Sequence, residues 1–281
     1  MSLRDVLRIA PGAAVNLESI DPNGTPGLPK GRSRDKAWAR AQLVAIGERL
    51  AVAQEQLFAT AKVSQTRPRV LLVLQAMDCG GKDGTVRKVA GTMNPQGLTI
   101  VGFGKPTKEE LEHDFLWRIR KALPPPGQIG VFNRSHYEDV LVVRVHNLVA
   151  KRTWQSRYKR INDFEASLVR DGFTIIKVML HISYAEQAAR LAERLKDPTK
   201  YWKFNPADID ERAYWDDYQA AYADALARCS TEDAPWYVVP ANRKWYRDWA
   251  VATLLDETMG DLGLRYPPAG FDVTVEQARL R

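Results

Sequence analysis

Apolar residues fall into two patterns along this chain. Short runs without strict alternation, at Arg69-Val-Leu-Leu-Val-Leu-Gln-Ala76, Leu98–Phe103, Ile129–Asn133, Thr174–Leu180 and Trp236–Val239, are separated by segments in which apolar positions recur every three or four residues. A run that is apolar throughout has no solvent face, so these are strands buried on both sides, with helices between them as cover. The pattern predicts an α/β fold, a three-layer α/β/α sandwich around a parallel sheet, with ligands at the carboxyl ends of the strands.

The helical segments can be placed individually. From Asp35 to about Lys62, Leu43, Ile46, Leu50, Ala53 and Leu57 share one face of a long helix. Before it, prolines and glycines crowd residues 9 to 33, so residues 1–33 read as an extended N-terminal arm. A single domain is expected over residues 34–266. The segment Asp197-Pro-Thr-Lys-Tyr-Trp-Lys-Phe-Asn-Pro206 breaks two helical patterns with prolines, aromatics and cations, which predicts a helical lid over about 190–210. After it, Asp208 to Glu211 has capping-box spacing, and Tyr214, Tyr218, Ala221 and Ala225 form a packing stripe. A last helix runs from Arg243 to about Met259, and residues 267–281 form a tail broken by Pro267 and Pro268.

Composition narrows the class. With 45% hydrophobic residues the chain can bury a sizeable core, yet it has no apolar stretch of membrane-spanning length and no signal-peptide core at its start. Its two cysteines, Cys79 and Cys229, make neither a disulfide framework nor a metal cluster, so a reducing cytoplasmic setting is expected and no membrane partner. The net charge of +7 points to a polyanionic partner, without choosing among nucleic acid, nucleotides and polyphosphate. No helix-turn-helix or aromatic-interleaved RNA motif is present, which argues against nucleic acid.

Candidate chemistry concentrates at the end of the first run. Ala76-Met-Asp-Cys-Gly-Gly-Lys82 has the spacing of a phosphate loop of Walker A type, in which backbone N–H groups and a helix start surround phosphate oxygens and the lysine adds a point charge. Gly80, Gly81, Gly84 and Lys82 carry that reading. Two departures stand out: Ala76 replaces the first glycine, and Asp83 replaces the hydroxyl residue that helps to hold Mg²⁺. Asp78 and Asp83 would repel phosphate unless a cation bridged them, so both are candidate Mg²⁺ ligands. The plainer reading of Asp83 is a carboxylate favoured by the helix dipole.

A second constellation lies at the end of the Ile129–Asn133 run. Asn133 stands where phosphate-loop enzymes usually carry an acid, and Arg134 has the fork that suits phosphoryl oxygens. Glu138 is a further candidate, whereas His136 reads as a cap or packing group rather than a phosphate-accepting nucleophile. The lid supplies Arg190, Arg194, Lys200 and Lys203, placed to neutralise charge on transferring phosphate. Lys105 and Arg118 are weaker candidates for the same anionic channel.

Taken together, Ala76-Met-Asp-Cys-Gly-Gly-Lys-Asp-Gly84, Asn94-Pro-Gln-Gly97, Asn133-Arg-Ser-His-Tyr-Glu-Asp139 and the Asp-Pro-x-Lys-Tyr-Trp-Lys run ending at Lys203 resemble the polyphosphate kinase type 2 family. The resemblance spans roughly residues 20 to 265. It implies a P-loop kinase-like fold related to nucleoside monophosphate kinases (thymidylate kinase-like). The implied activity is Mg²⁺-dependent, reversible phosphoryl transfer from inorganic polyphosphate to a nucleoside mono- or diphosphate, AMP or ADP and also GMP or GDP. In that scheme Asp78, Lys82, Asp83 and Arg134 are catalytic, with Asp78 and Asp83 organising the metal. Gly80, Gly81, Gly84, Lys105, Arg118, Asn133, Glu138, Arg190, Arg194 and Lys203 bind phosphate or nucleotide. The His-Tyr-Glu-Asp form after Ser135 resembles members that accept monophosphates, where diphosphate-preferring members carry Trp-Tyr-Asn. Cys79 reads as a small filler, and the resemblance implies a homo-oligomer, a dimer or tetramer. Two other readings remain: an ATP-dependent nucleotide or small-molecule kinase of the same fold, and a basic nucleic-acid-binding protein with a degenerate loop.

Overall fold

The computed structural model describes residues 1–32, 35–64 and 66–281. Its five strands are β1 (Arg69–Ala76), β2 (Leu98–Gly102), β3 (Ile129–Asn133), β4 (Phe173–His181) and β5 (Trp236–Pro240). All pairings are parallel, in the order β2-β3-β1-β4-β5. The apolar runs predict these strands to within a residue or so at either end. Val70 to Ala76 are all buried, because helices cover both faces of the central strands.

The register positions the site. Leu74 pairs with Asn133 while Ala76 pairs with Leu180, so β3 stops short of β1 and leaves Asn133 beside the loop that follows Ala76. The chain leaves β1 toward β2 on one side and later reaches β4 on the other, a strand order that opens a crevice at the carboxyl ends.

The long helix is Lys36–Ser64, and it packs on the Lys244–Asp261 helix. Ile46, Leu50 and Leu57 of its predicted face are buried, with Leu43 and Ala53 packed against them. The Lys151–Arg170 and Trp215–Cys229 helices pack on each other, the former also against β4. The expected boundary at residues 33–34 lies outside the described residues.

The N-terminal segment has only a 3-10 turn, Leu17–Ser19, between Ile9 and residue 32, but it is docked. A short helix, Leu3–Leu7, buries both leucines, and its first N–H groups, of Leu3 and Arg4, donate to Glu257. Arg8 bridges antiparallel to Tyr237, and Tyr246 Oη donates to the Pro26 carbonyl, so this segment covers the free edge of β5. At the other end, Asp272 caps a short exposed helix, Val273–Arg279. Among the described residues no helix is long and apolar enough to cross a membrane.

Candidate active site

The loop between β1 and the Lys82–Val89 helix is built by tight backbone geometry. Cys79 (φ 61°) and Gly81 (φ 106°) both adopt the left-handed region, and Gly80 N–H donates to the Met77 carbonyl at 2.9 Å. A Cβ on Gly80 would lie 2.3 Å from the Ala76 Cβ, and one on Gly81 would lie 1.9 Å from Arg247 Nη1. Gly80 is therefore required by crowding and Gly81 by its φ, with Arg247 packed where a side chain would stand. Gly84 lies over the same guanidinium, where a Cβ would be 3.0 Å from Arg247 Nη2.

Lys82 is buried and folds back, its Nζ donating to the Ala76 carbonyl at 2.9 Å. Burial pushes its pKa down, with Arg134 adding to the effect and Asp78, Glu138 and Asp83 opposing it. Asp78 and Asp83 are each held by the second constellation. Arg134 Nη2 donates to Asp78 Oδ1 at 2.9 Å, and Asn133 Nδ2 donates to Asp83 Oδ1 at 2.7 Å. Arg134 itself sits at φ 65°, with its N–H on the Leu74 carbonyl, which turns the chain sharply off β3 toward the loop.

Asp78 and Asp83 could each offer a carboxylate oxygen to a cation. Each engages one carboxylate oxygen with a side-chain partner and leaves the other without a hydrogen bond among the described residues. Among those residues no cluster of three or more His, Cys, Asp or Glu could hold a metal.

Behind this site runs a buried polar network. Glu165 accepts from Tyr137 Oη (2.9 Å) and lies 3.1 Å from His136 Nε2, while Lys177 Nζ donates to Glu165, Tyr137 Oη and the Cys229 carbonyl. Burial would raise the Glu165 carboxyl, yet Lys177 and His136 overcome it and hold the group low. His136 is thus a packing group, while Ser135 caps the short turn His136–Asp139. Glu138 sits on that turn outside the lining of the cleft; burial pushes its carboxyl up, opposed by Arg134 and Lys82.

The loop opens into a cleft of about 1020 Å³ whose wall includes thirteen Lys and Arg side chains against five Asp and Glu. Arg194, Lys200 and Lys203 line it from the lid, Arg194 Nη1 donating to the Lys203 carbonyl and to Asp208. Burial pushes the Asp208 carboxyl up, with Asp78 reinforcing the shift and Arg194 opposing it. In place of a capping box, the region has short helical turns at Ala207–Asp210 and Glu211–Tyr214.

Besides Glu138, three expected phosphate ligands stand differently. Arg190 reaches the cleft wall, but its guanidinium is buried on main-chain carbonyls and Glu186. Lys105 and Arg118 line a separate hollow of about 360 Å³ that meets the cleft only at Gly102–Gly104. Arg118 is drawn there by the Gly104 carbonyl, which its Nη1 reaches at 3.0 Å, and by Glu110.

The cleft also holds cations that the sequence pattern does not single out. Lys36 and Arg40 come from the long helix, Arg87 and Lys88 from the loop helix, and Lys244 and Arg247 from the Lys244–Asp261 helix. Arg87 and Lys88 read locally as charges suited to a helix C-terminus, and Arg247 reaches the loop across more than 160 residues of sequence, where no spacing rule operates. Gly84, over which that guanidinium lies, reads in the sequence only as part of the phosphate loop.

The polyphosphate kinase 2 (PPK2) family model matches residues 35–262. The AMP/ADP-polyphosphate phosphotransferase of Meiothermus ruber is 47% identical over 260 residues, 92% of this chain and 94% of that protein. The ADP-polyphosphate phosphotransferase of Rhodopseudomonas palustris is 44% identical over 78% of each chain. The crystal structure of polyphosphate kinase 2 from Arthrobacter aurescens TC1 superposes with a TM-score of 0.95 at 49% identity, covering 100% of this chain and 96% of that one.

Proposed function

The chain belongs to the polyphosphate kinase 2 family, and from that premise we propose how its cleft moves a phosphoryl group between inorganic polyphosphate and AMP or ADP. The observation that carries the reading is the double tie of Asp78 to Arg134 and Asp83 to Asn133 around Lys82, at the mouth of a cleft with a large excess of cations. A mononucleotide needs only a few charge partners, whereas a long polyanion needs a track.

In this mechanism the loop amides and Lys82 hold the phosphates at the strand end, and Arg134 binds the equatorial oxygens of the group in transit. Because Arg134 is fixed by its own backbone turn and by Asp78, its fork is oriented before substrate arrives, which is where positioning lowers the barrier. Asp78 and Asp83 would hold Mg²⁺, whose charge offsets that of the phosphates. Arg194, Lys200 and Lys203 close from the lid and exclude water, so that the acceptor's terminal oxygen rather than solvent attacks. Transfer then breaks one phosphoanhydride bond of polyphosphate and forms another on the nucleotide, so the same site supports the reverse direction. GMP and GDP are further candidate acceptors.

Lys36, Arg40, Arg87, Lys88 and Lys244 extend the cation lining beyond the reacting centre and form the proposed polyphosphate track. The long helix exposes Val44, Val52 and Val63, which supports association into a homo-oligomer. The test is incubation of purified protein with polyphosphate, Mg²⁺ and AMP or ADP, without ATP, followed by separation of the nucleotides. Formation of ADP or ATP supports the reading; no product there, with nucleotide phosphorylation only in a parallel reaction supplied with ATP, would favour an ATP-dependent kinase.

A further inference from the structure

Arg190 was expected among the lid cations that meet phosphate, and its environment points elsewhere. All five of its N–H donors are committed. Nε–H donates to Glu186 Oε1 (2.7 Å), Nη1 to the carbonyls of Cys79 (2.9 Å) and Gly80 (3.1 Å), and Nη2 to those of Ala241 (2.6 Å) and Asn242 (3.1 Å). The residue is 6% exposed. One helical turn earlier, Gln187 Nε2 donates to the Asp78 carbonyl at 3.0 Å, and its Oε1 accepts from Arg212. The Tyr184–Lys196 helix therefore grips three consecutive carbonyls of the phosphate loop, at residues 78, 79 and 80.

A peptide plane is rigid, so its C=O and N–H point in opposite directions. Drawing the carbonyls of Asp78, Cys79 and Gly80 into this helix fixes the N–H groups of Cys79, Gly80 and Gly81. The Gly80 N–H closes the turn onto Met77, which leaves those of Cys79 and Gly81 directed away from the helix. The left-handed φ of Cys79, costly for a residue with a side chain, persists because the carbonyls on both sides of it are held.

We propose that Arg190, with Gln187, is a positioning residue that orients the backbone N–H groups of the phosphate loop, and that it does not contact the polyphosphate chain. This rests on the functional reading above. The guanidinium also ties the loop to the end of β5 through Ala241 and Asn242, so loop and sheet edge are set together. Lysine cannot replace it, since one ammonium cannot reach carbonyls on two separate segments with a planar fork.

Two readouts separate positioning from direct contact. A cation that contacts polyphosphate contributes about one unit to the slope of log affinity against log salt, so its neutralisation lowers that slope. For Arg190→Gln, tripolyphosphate binding by calorimetry over a salt series should show an unchanged slope with uniformly weaker affinity. The kcat should fall at least tenfold, with KM for the nucleotide changing less than threefold. Arg190→Lys, which keeps the charge and is the fallback if the glutamine variant does not fold, should lose a similar factor in kcat. Gln187→Met should lose less, and the double variant should lose less than the product of the two, since both act on one loop. A slope lowered by about one unit, or a lysine variant with wild-type kcat, would overturn the proposal. Wild-type protein that fails to bind tripolyphosphate at all would instead sink the functional reading on which it rests.

Discussion

Asn133 Nδ2 donates to Asp83 Oδ1 at 2.7 Å, joining the end of β3 to the first turn of the loop helix across fifty residues of sequence. The amide does for Asp83 what a carboxylate at the same strand end could not, since two like charges at this distance would repel. Asn133→Ala should therefore leave Asp83 free to rotate. Loss of one hydrogen bond to a charged group costs about 1.5 kcal/mol, so kcat should fall about tenfold, with KM for the nucleotide little changed. Steady-state kinetics check this, and an unaltered kcat would mean that Asp83 is held by something else.

Gly81 takes φ 106° and has Arg247 Nη1 1.9 Å from where a Cβ would stand. Gly81→Ala should cost at least the roughly 1 to 2 kcal/mol of a left-handed alanine and displace Arg247 from the loop. Denaturant unfolding should register the first effect, and at least tenfold weaker tripolyphosphate binding the second.

Glu165 is held below the ordinary glutamate value of 4.5: burial would raise it, but Lys177 and His136 outweigh that. A carboxylate whose folded pKa is depressed stabilises the fold above its unfolded value and loses that contribution as pH falls through its folded value. Glu165→Gln leaves Lys177 buried without its counter-charge, which costs about 3 to 5 kcal/mol in comparable cases. The stability gap between wild type and variant should be full at neutral pH and narrow below 4.5. Urea unfolding over a pH series tests the sign; a gap that widened in acid would refute it.

The cation track predicts a salt dependence. Polyphosphate binding should weaken steeply and linearly on a log–log plot as salt rises, while binding of AMP should weaken less. Equal slopes for the two ligands would remove the case for a track longer than a nucleotide.

Much of this was legible in the sequence, and for identifiable reasons. The strands could be read because a parallel sheet buried on both faces demands unbroken apolar runs, as at Val70–Leu74. The loop could be read because Gly80, Gly81 and Lys82 are adjacent and their job is local. What escaped was set by tertiary contact. Arg190 has the helical spacing of a surface cation shared with Arg194, and only the structure reveals carbonyls of Cys79 and Ala241 waiting for it. Arg247 carried no motif at all, and Arg118 lies on the expected helix but is drawn aside by Gly104. The buried Lys177 sits within an apolar strand whose sequence gives no hint of Glu165 opposite it.

Donation from polyphosphate to a nucleotide at the Lys82 loop can be followed directly. Phosphorus NMR of one tube containing polyphosphate, Mg²⁺ and ADP follows both substrates at once. Polyphosphate end-group signals should change in step with the appearance of ATP γ-phosphate in wild type, and Lys82→Ala should slow this by orders of magnitude without unfolding. ATP formation at wild-type rate in the Lys82 variant, or no transfer in wild type with either AMP or ADP as acceptor, would contradict it.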